Sequence, residues 1–495
     1  MLLTSILALV AYGCVVAIYR LYFHPLSKFP GPKLAAITSI YEFYYNVLKD
    51  GLFVWEIEKM HREYGPIVRI NPHELHINDH SFYDEIYTSS SSRRDKYWPY
   101  VKGLALPRSV VSTVPHQHHA IRRKHLSNFF SAQVVRSIEP LIHDHVAKLI
   151  NRLAQFHRDK QTVDLNVLFN ALTIDIISHY AYGANFNFLE SGDLQTEVRE
   201  SLIALTSGFH LMRFVPLDPT LIEKVPIPLL ELLWPSAGKL MSTKRRIRAQ
   251  AIDALGGVNQ PEKETIFSTL VNSDLEQSEK SVQRLEDEAF LLLQAGSETT
   301  GHSLGVLMFY VLRDREVYRR VKEELLQVMP DPESKPSLAQ LRALSYFSAV
   351  ITESFRLAFG TMTRLPRVAP DEALVYKQWT IPPGTPLSQT AYLIHMDPSV
   401  FPEPEKFDPE RWIRAGENRK KLESVLVNWS KGRRQCLGIN LAYAEVYLAA
   451  SQVFRRTDLT LLDTSLKCIQ PVRDRIIILP ESGGYHIRVA VDGVQ

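Results

Sequence analysis

The stretch from Leu285 to Leu312 limits the possible folds of this chain more than any other. At the usual helical rise it makes one helix of roughly 40 Å. Its residues are apolar nearly all round, so the helix must cross a core and be wrapped by other elements. Its centre, Ala295-Gly296-Ser297-Glu298-Thr299-Thr300-Gly301, sets an acid, hydroxyls and glycines inside that buried length. Each of these costs stability there. Such breaks of a local rule collect at functional sites, although a kink lined by satisfied polar groups has the same pattern. Gly296 to Gly301-His302-Ser303 comes close to a phosphate-binding loop. That motif needs Lys in place of His302 and must follow a strand and open a helix. A groove in a core helix is the better expectation.

A second stretch gives that groove a partner. Trp429-Ser430-Lys431-Gly432-Arg433-Arg434-Gln435-Cys436-Leu437-Gly438 places one cysteine after a basic turn and before a predicted helix, Ile439 to Phe454. Nearby arginines and free helix N–H groups favour a thiolate. Gly432 allows a tight turn, and Gly438 keeps a Cβ away from whatever covers the sulfur. A buried, inert thiol is the ordinary fate of such a cysteine. The loop nevertheless suits a sulfur anion held against a flat partner. Iron in haem fits best, because one cysteine suffices for one axial bond. The small residues of 295–301 then leave room for a diatomic ligand, with Glu298 and Thr299 passing protons inward.

Other residues converge on the same loop. The predicted helix Tyr346 to Phe359 carries Glu353 and Arg356 on one face, where alone they would be a surface ion pair of little worth. Arg411, in Phe407-Asp408-Pro409-Glu410-Arg411-Trp412, adds a second arginine for the same carboxylate. Such a network pins the cysteine loop to the core, and its burial requires complete pairing. His116, His118, His119 and His125 are dense, but no acid or thiol interleaves them and their spacing fits no common metal site. With Arg122, Arg123 and Lys124 they offer donors to carboxylates such as haem propionates. His119 and Arg123 share a helix face. Asn428-Trp429-Ser430 matches a glycosylation sequon by chance.

Leu2 to Tyr19 is uncharged and is followed by Arg20, His24 and Lys28. It just reaches the length of a membrane span. A cleaved signal peptide is the rival, but no basic n-region precedes the run and no small-x-small site follows it. The positive flank keeps the bulk of the chain in the cytosol. The expected divisions are an anchor over 1–22, a proline-rich hinge over 23–40 around Phe29-Pro30-Gly31-Pro32, and one catalytic body over 41–495. The 3 cysteines, Cys14, Cys436 and Cys468, include no C-x-x-C pair. That argues against a disulfide scaffold and a structural zinc site, and for a reducing compartment. A net charge of +3 gives no reason to expect nucleic acid.

Between these landmarks, 67–77 reads as a short hairpin and 375–393 as strand-like pieces. Val134 to Phe156 and Val167 to Ala181 read as helices. Leu211 to Pro235 is apolar and proline-broken, from Phe214 to Trp234. It is either a second membrane contact or lid over a lipophilic pocket, or a loop packed on its own domain. Lys244, Arg245, Arg246 and Arg248 read as a solvated helix face.

Together these residues resemble the cytochrome P-450 superfamily of haem-thiolate monooxygenases, over essentially the whole chain and in the family's order. The resemblance implies a mainly α fold with a small β-rich subdomain behind an N-terminal transmembrane helix. It makes Cys436 the axial ligand of the iron in haem b (iron protoporphyrin IX), and Arg434, His119, Arg123 and Arg364 the propionate partners. It makes Glu298 the acid and Thr299 the alcohol of the oxygen-activation segment. Glu353, Arg356 and Arg411 become its structural Glu-x-x-Arg network. Gly432 and Gly438 keep their places in the cysteine signature, whereas Trp429 stands where Phe is usual, a change that bears on the tuning of the thiolate.

The segments Tyr19 to Lys33 and Arg364 to Glu372 look like fungal members, similar to the trichodiene oxygenase group. The implied reaction inserts one atom of O2 into a lipophilic specialised metabolite, a terpenoid ahead of a polyketide or an alkaloid. Electrons would come from an NADPH-cytochrome reductase, since no flavin or nucleotide fingerprint is present, and Arg433 would help it dock. The implied protein is a monomer, single-pass in the endoplasmic reticulum membrane, with its body facing the cytosol. The rivals are an O2-independent isomerase or dehydratase of the same fold and a nucleotide-binding membrane protein using the Gly296 segment. The intact Glu298–Thr299 pair and the missing lysine speak against them.

Overall fold

Helix α1 (Leu2–Ile18) runs on through Tyr19–Phe23 as a helix of 22 residues with none of it buried, long and apolar enough to cross a membrane. The computed structural model describes the chain except residues 90–91, 184–185, 193, 195–205, 217, 234, 236–237, 239–240, 243, 246–248 and 250–264. The segment expected as a hinge lies against the body. Leu26 and Phe29 are buried, and Phe29 stacks on Trp379 at 5.1 Å. The Arg69 N–H donates to the Pro30 carbonyl at 2.7 Å. A Cβ on Gly31 would lie 2.5 Å from the Arg69 oxygen, so only glycine lets the turn close onto the strand.

Five short strands make the larger sheet: β1 (Ile67–Arg69), β2 (Leu75–Ile77), β3 (Asp95–Lys96), β4 (Arg367–Val368) and β5 (Pro386–Ser388), in the order β1-β2-β5-β4-β3. The β1–β2 hairpin is the one its alternating residues predict. Strand β2 runs parallel to β5, and the remaining pairs are antiparallel. The β3–β4 register sets Lys96 opposite Arg367, a pairing of two cations that local sequence does not announce.

The helical body contains α2 (His116–Ser127), α3 (Glu139–Arg158), α4 (Leu165–Tyr182), α5 (Val282–Arg313), α6 (Ser345–Ala358) and α7 (Ile439–Arg456). The pattern read as one helix from Val134 is broken at Ile138, and Pro140 stands in the first turn of α3, where its missing N–H costs nothing. Asp164 caps the start of α4, and Gly183 ends it in the left-handed region.

Helix α5 spans 32 residues and is one continuous helix through the 296–303 motif, so no phosphate-binding loop exists there. It lies along α4. A Cβ on Gly301 would stand 2.6 Å from Asn170 Oδ1, and one on Gly296 would stand 3.0 Å from Ile177 Cγ1. The glycines expected to open a ligand groove therefore serve the contact between two helices. The first turns of α5 carry buried charge with partners. Glu288 accepts from the Val110 N–H at 3.0 Å, and Asp287 accepts from the Arg108 N–H at 3.0 Å and from Lys244 at 3.4 Å. Lys244, expected on a solvated face, is buried by that pairing. Arg246, Arg248, Leu217 and Trp234 lie outside the described residues.

Glu353 on α6 is wholly buried and fully paired. Arg356 donates Nε to Oε2 at 2.9 Å and Nη2 to Oε1 at 2.8 Å. Arg411 and the Trp412 indole donate at 3.0 Å each, as does the Asp408 N–H. His395 joins this clamp to the cysteine loop. Its Nδ1 donates to the Arg356 carbonyl at 3.0 Å, so its Nε2 accepts the Val427 N–H at 3.0 Å. Burial, with Arg356 beside it, holds this imidazole neutral, its pKa lowered to about 3.

Removing one partner from such a network leaves buried charge uncompensated, at a cost of about 3–5 kcal/mol. Glu353→Gln is therefore expected to remove most of the folded protein at 37 °C or to lower the thermal midpoint by well over 5 °C in detergent. An unchanged midpoint would show that the clamp is not what holds α6 to the 395–412 segment.

Candidate active site

The cysteine loop is shaped by one obligatory glycine. Gly432 has φ 71°, and a Cβ there would sit 2.2 Å from the Thr88 oxygen. The turn brings the Cys436 N–H to the Trp429 carbonyl at 2.8 Å. Arg123 on α2 donates to the Gln435 carbonyl at 2.7 Å. The Gly438 N–H donates to the Cys436 sulfur, and this bond and the Arg123 charge both favour the thiolate, although burial pushes the thiol upward more strongly. Cys436 is nevertheless exposed by surface area. A side chain both enclosed by protein and accessible faces an interior space. A Cβ on Gly438 would meet nothing within 4 Å, so that space continues beside the sulfur.

A cluster of cations lies beside the loop. Arg434 donates to the carbonyls of Thr113 and Val114 at 2.8 and 2.7 Å. Burial, with Arg367 and Arg123 near, lowers its pKa to about 9. His119 is held neutral, at about 2, by burial and by Arg434, Lys96, Arg123 and Arg367. Lys96 is pushed well down by burial and by the same arginines, and donates to the Val111 carbonyl. Arg367 is buried and donates only to nearby carbonyls, Leu365 and Pro366, among the described contacts. Asp95 is the carboxylate that acts on this group, and it is already bonded to Arg93 at 2.7 Å. Buried cations in such excess call for an anionic partner.

Helix α2 sorts its basic residues by face. His119 and Arg123 turn to this cluster, whereas His118 and Arg122 bind Glu279 at 2.8 and 2.7 Å. Arg364 goes elsewhere. It pairs with Glu42 at 2.7 Å and with Glu74 at 3.1 Å, fully buried. Arg364 is thus committed to two carboxylates, whereas Arg367 acts on the cluster around Arg434.

On α5, Ala295 and Thr299 are accessible among buried neighbours. The Thr299 hydroxyl donates back to the Ala295 carbonyl at 2.8 Å. Glu298 is buried beside Tyr485. Thr300 donates to Glu445 on α7, a buried acid whose pKa is pushed well up by desolvation. This contact sets α7, the helix that follows the cysteine loop, directly against the polar centre of α5. Trp429 is walled by Phe355 and Tyr443 at 5.1 and 5.6 Å, and its indole donates to the Tyr443 hydroxyl. No indole donor is thus left for the sulfur.

Sequence reasoning placed Cys436, Arg434, His119 and Arg123 in one site, and the structure brings them together. It missed Lys96, Arg367, Glu445 and His395. The β3–β4 pairing was the signal for Lys96 and Arg367, and it is nonlocal. The set fits a flat, dianionic cofactor held by one thiolate: an accessible interior thiol, an open face at Gly438 and a cation cluster short of anions.

Relatives agree with that chemistry. The chain is 43% identical over 490 residues to the conidiogenone synthase PchP450 of Penicillium rubens, covering 98% of each protein. It is 40% identical over 475 residues to the cytochrome P450 monooxygenase TRI4 of Fusarium sporotrichioides, covering 96% of this chain and 91% of that one. It is 39% identical over 488 residues to the cytochrome P450 monooxygenase astB of Aspergillus terreus, covering 96% and 94%. The sequence profile of the family described as Cytochrome P450 matches residues 38–487, and the chain belongs to that family of haem-thiolate monooxygenases.

Proposed function

We propose that the chain oxygenates a lipophilic terpenoid of a fungal pathway at haem b, with Cys436 as the iron's axial ligand. The observation that carries this is an enclosed but accessible Cys436 thiol beside five cationic or imidazole side chains. Arg434, Arg123, Arg367, Lys96 and His119 would hold the two propionates, with Arg367 taking the part first expected of Arg364. When bound, the haem supplies O2 activation and insertion of one oxygen atom into a C–H bond, with electrons from an NADPH-cytochrome reductase.

The chain's own residues set the conditions for that reaction. The Gly438 N–H and Arg123 steady the negative sulfur. Glu298 and Thr299 stand at the polar centre of α5, and the accessible Thr299 hydroxyl holds a proton where a small ligand enters. Apolar walls of the surrounding core exclude bulk water. The lipophilic substrate class is supported by the relatives' names and by exposed Leu211, Leu229, Leu232 and Leu233, which lie on the segment beside Phe43 and Phe214. Leu34, Ile40, Tyr44 and Leu48 continue this apolar surface toward α1. The same surface supports a body seated on a membrane with substrate arriving from the lipid, and we place that monomer at the endoplasmic reticulum with its body in the cytosol.

The reduced, carbon monoxide-treated protein should show the strongly red-shifted Soret band of a thiolate-bound haem. Cys436→Ser should abolish it, and a variant that keeps it would refute the ligand. Thr299→Ala should consume NADPH at a similar rate while several-fold more of it appears as hydrogen peroxide, and unchanged coupling would remove Thr299 from proton delivery. Arg367→Leu should lose most of the bound haem, read as the ratio of haem to protein, with the chain still folded. Arg364→Leu should lower the thermal midpoint instead, and the reverse pattern would return the propionate role to Arg364.

A further inference from the structure

On the outer side of the cysteine loop lies a second cavity of about 350 Å³, separate from the interior space that the thiol faces. Its volume suits one small molecule. Three cations stand on it: Arg342, Arg419 and Lys431. Arg419 is bonded to Glu423 at 2.7 Å and Lys431 to Asp84 at 2.9 Å. Arg342 has no carboxylate among the described residues and lies over the Tyr443 ring at 5.3 Å. One positive charge is therefore left over. The Ser430 hydroxyl also lines the cavity. The residue is 8% exposed, and its Oγ has no partner in good hydrogen-bonding geometry. The Tyr83 phenol is close enough to be influenced by it, but outside bonding geometry. Glu423 lines the cavity beside Arg419, much of the remaining wall is polar, and Trp429, Tyr443 and Tyr447 add aromatic surface.

An uncompensated cation and an unsatisfied buried hydroxyl ask for an oxyanion. The flat rings ask for an aromatic body, which stacks on them and lies in reach of the guanidinium. We propose that this cavity binds a small aromatic oxyanion, its charged end at Arg342, Arg419 and Ser430 and its ring against Trp429 and Tyr443. The occupant would touch the residue whose carbonyl holds the Cys436 N–H at 2.8 Å. It would thus act on the cysteine loop from outside, without entering the interior space. The site does not depend on the haem assignment, because no group of the cation cluster takes part in it.

The test is calorimetric titration of the full haem-loaded chain in detergent with 1-naphthyl phosphate and, separately, inorganic phosphate. The expected result is saturable binding of 1-naphthyl phosphate with one site per chain, and at least tenfold weaker binding of inorganic phosphate. Arg342→Ala combined with Arg419→Ala should weaken the naphthyl ligand at least tenfold, with the carbon monoxide spectrum kept. Binding that does not saturate, or that the double variant leaves unchanged, would overturn the site. Inorganic phosphate bound as tightly as the naphthyl ester would overturn the ligand class. Retention of the spectrum in the double variant separates loss of this site from loss of the haem reading.

Discussion

The link from the core to the cysteine loop starts at the buried carboxylate of Glu353. Two arginines, an indole and a backbone N–H all donate to it, so no lone pair of consequence is left unmet in a place without water. A buried ion network of this kind adds little net stability compared with apolar packing, but it tolerates only one arrangement of its parts. That one arrangement reaches the loop by a stated path. The Arg356 carbonyl fixes the tautomer of His395, His395 accepts the Val427 N–H, and the Val427 carbonyl accepts the Ser430 N–H at 2.8 Å. A displacement of Glu353 would be felt, through rigid groups, one residue beyond Trp429.

The cations around Arg434 are the opposite kind of buried charge. Here the pairing is incomplete: burial lowers Arg434, Lys96 and Arg367, and neighbouring arginines lower Arg434 and Lys96 further. The isolated chain carries this as a cost. A dianionic ligand that binds the folded chain but not the unfolded one returns it, and the fold gains stability with ligand concentration. One half of the structure thus satisfies its buried charge internally, as a frame. The other half leaves it unsatisfied, as a site. The two meet at the cysteine loop, whose backbone is fixed by the first and whose side chain serves the second.

This division explains what the sequence disclosed. Local periodicity gave helix α5, the Glu353–Arg356 face, the β1–β2 hairpin and the His119–Arg123 pair, because each depends on residues within a turn or two. Arg364 was expected in the cation cluster, and the structure pairs it with Glu42 and Glu74, which lie far away in the chain. The pairing that sets Arg367 opposite Lys96 is equally remote in sequence. His395 was invisible for a similar reason, since its role exists only where 356, 395 and 427 meet. The glycines of α5 were read for the wrong neighbour. A glycine in a helix says that something comes close, but it does not say whether that is a ligand or, as with Asn170, another helix.

Trp429 shows how a change in the cysteine loop can be absorbed locally. An indole N–H buried beside a thiolate must find an acceptor, and the sulfur would be the obvious one, with a direct effect on its electron donation. The loop geometry directs it instead to the Tyr443 hydroxyl, one turn into α7. The sulfur keeps the backbone N–H of Gly438 as its donor, which any residue at 429 would leave in place. The larger ring therefore alters the outer surface of the loop more than the chemistry of the thiolate. It fills the space between α6 and α7 against Phe355 and Tyr443. It also lines the cationic cavity. The substitution extends the influence of the loop outward, toward solvent, and leaves the inward face as Gly432, Gly438 and the cation cluster define it.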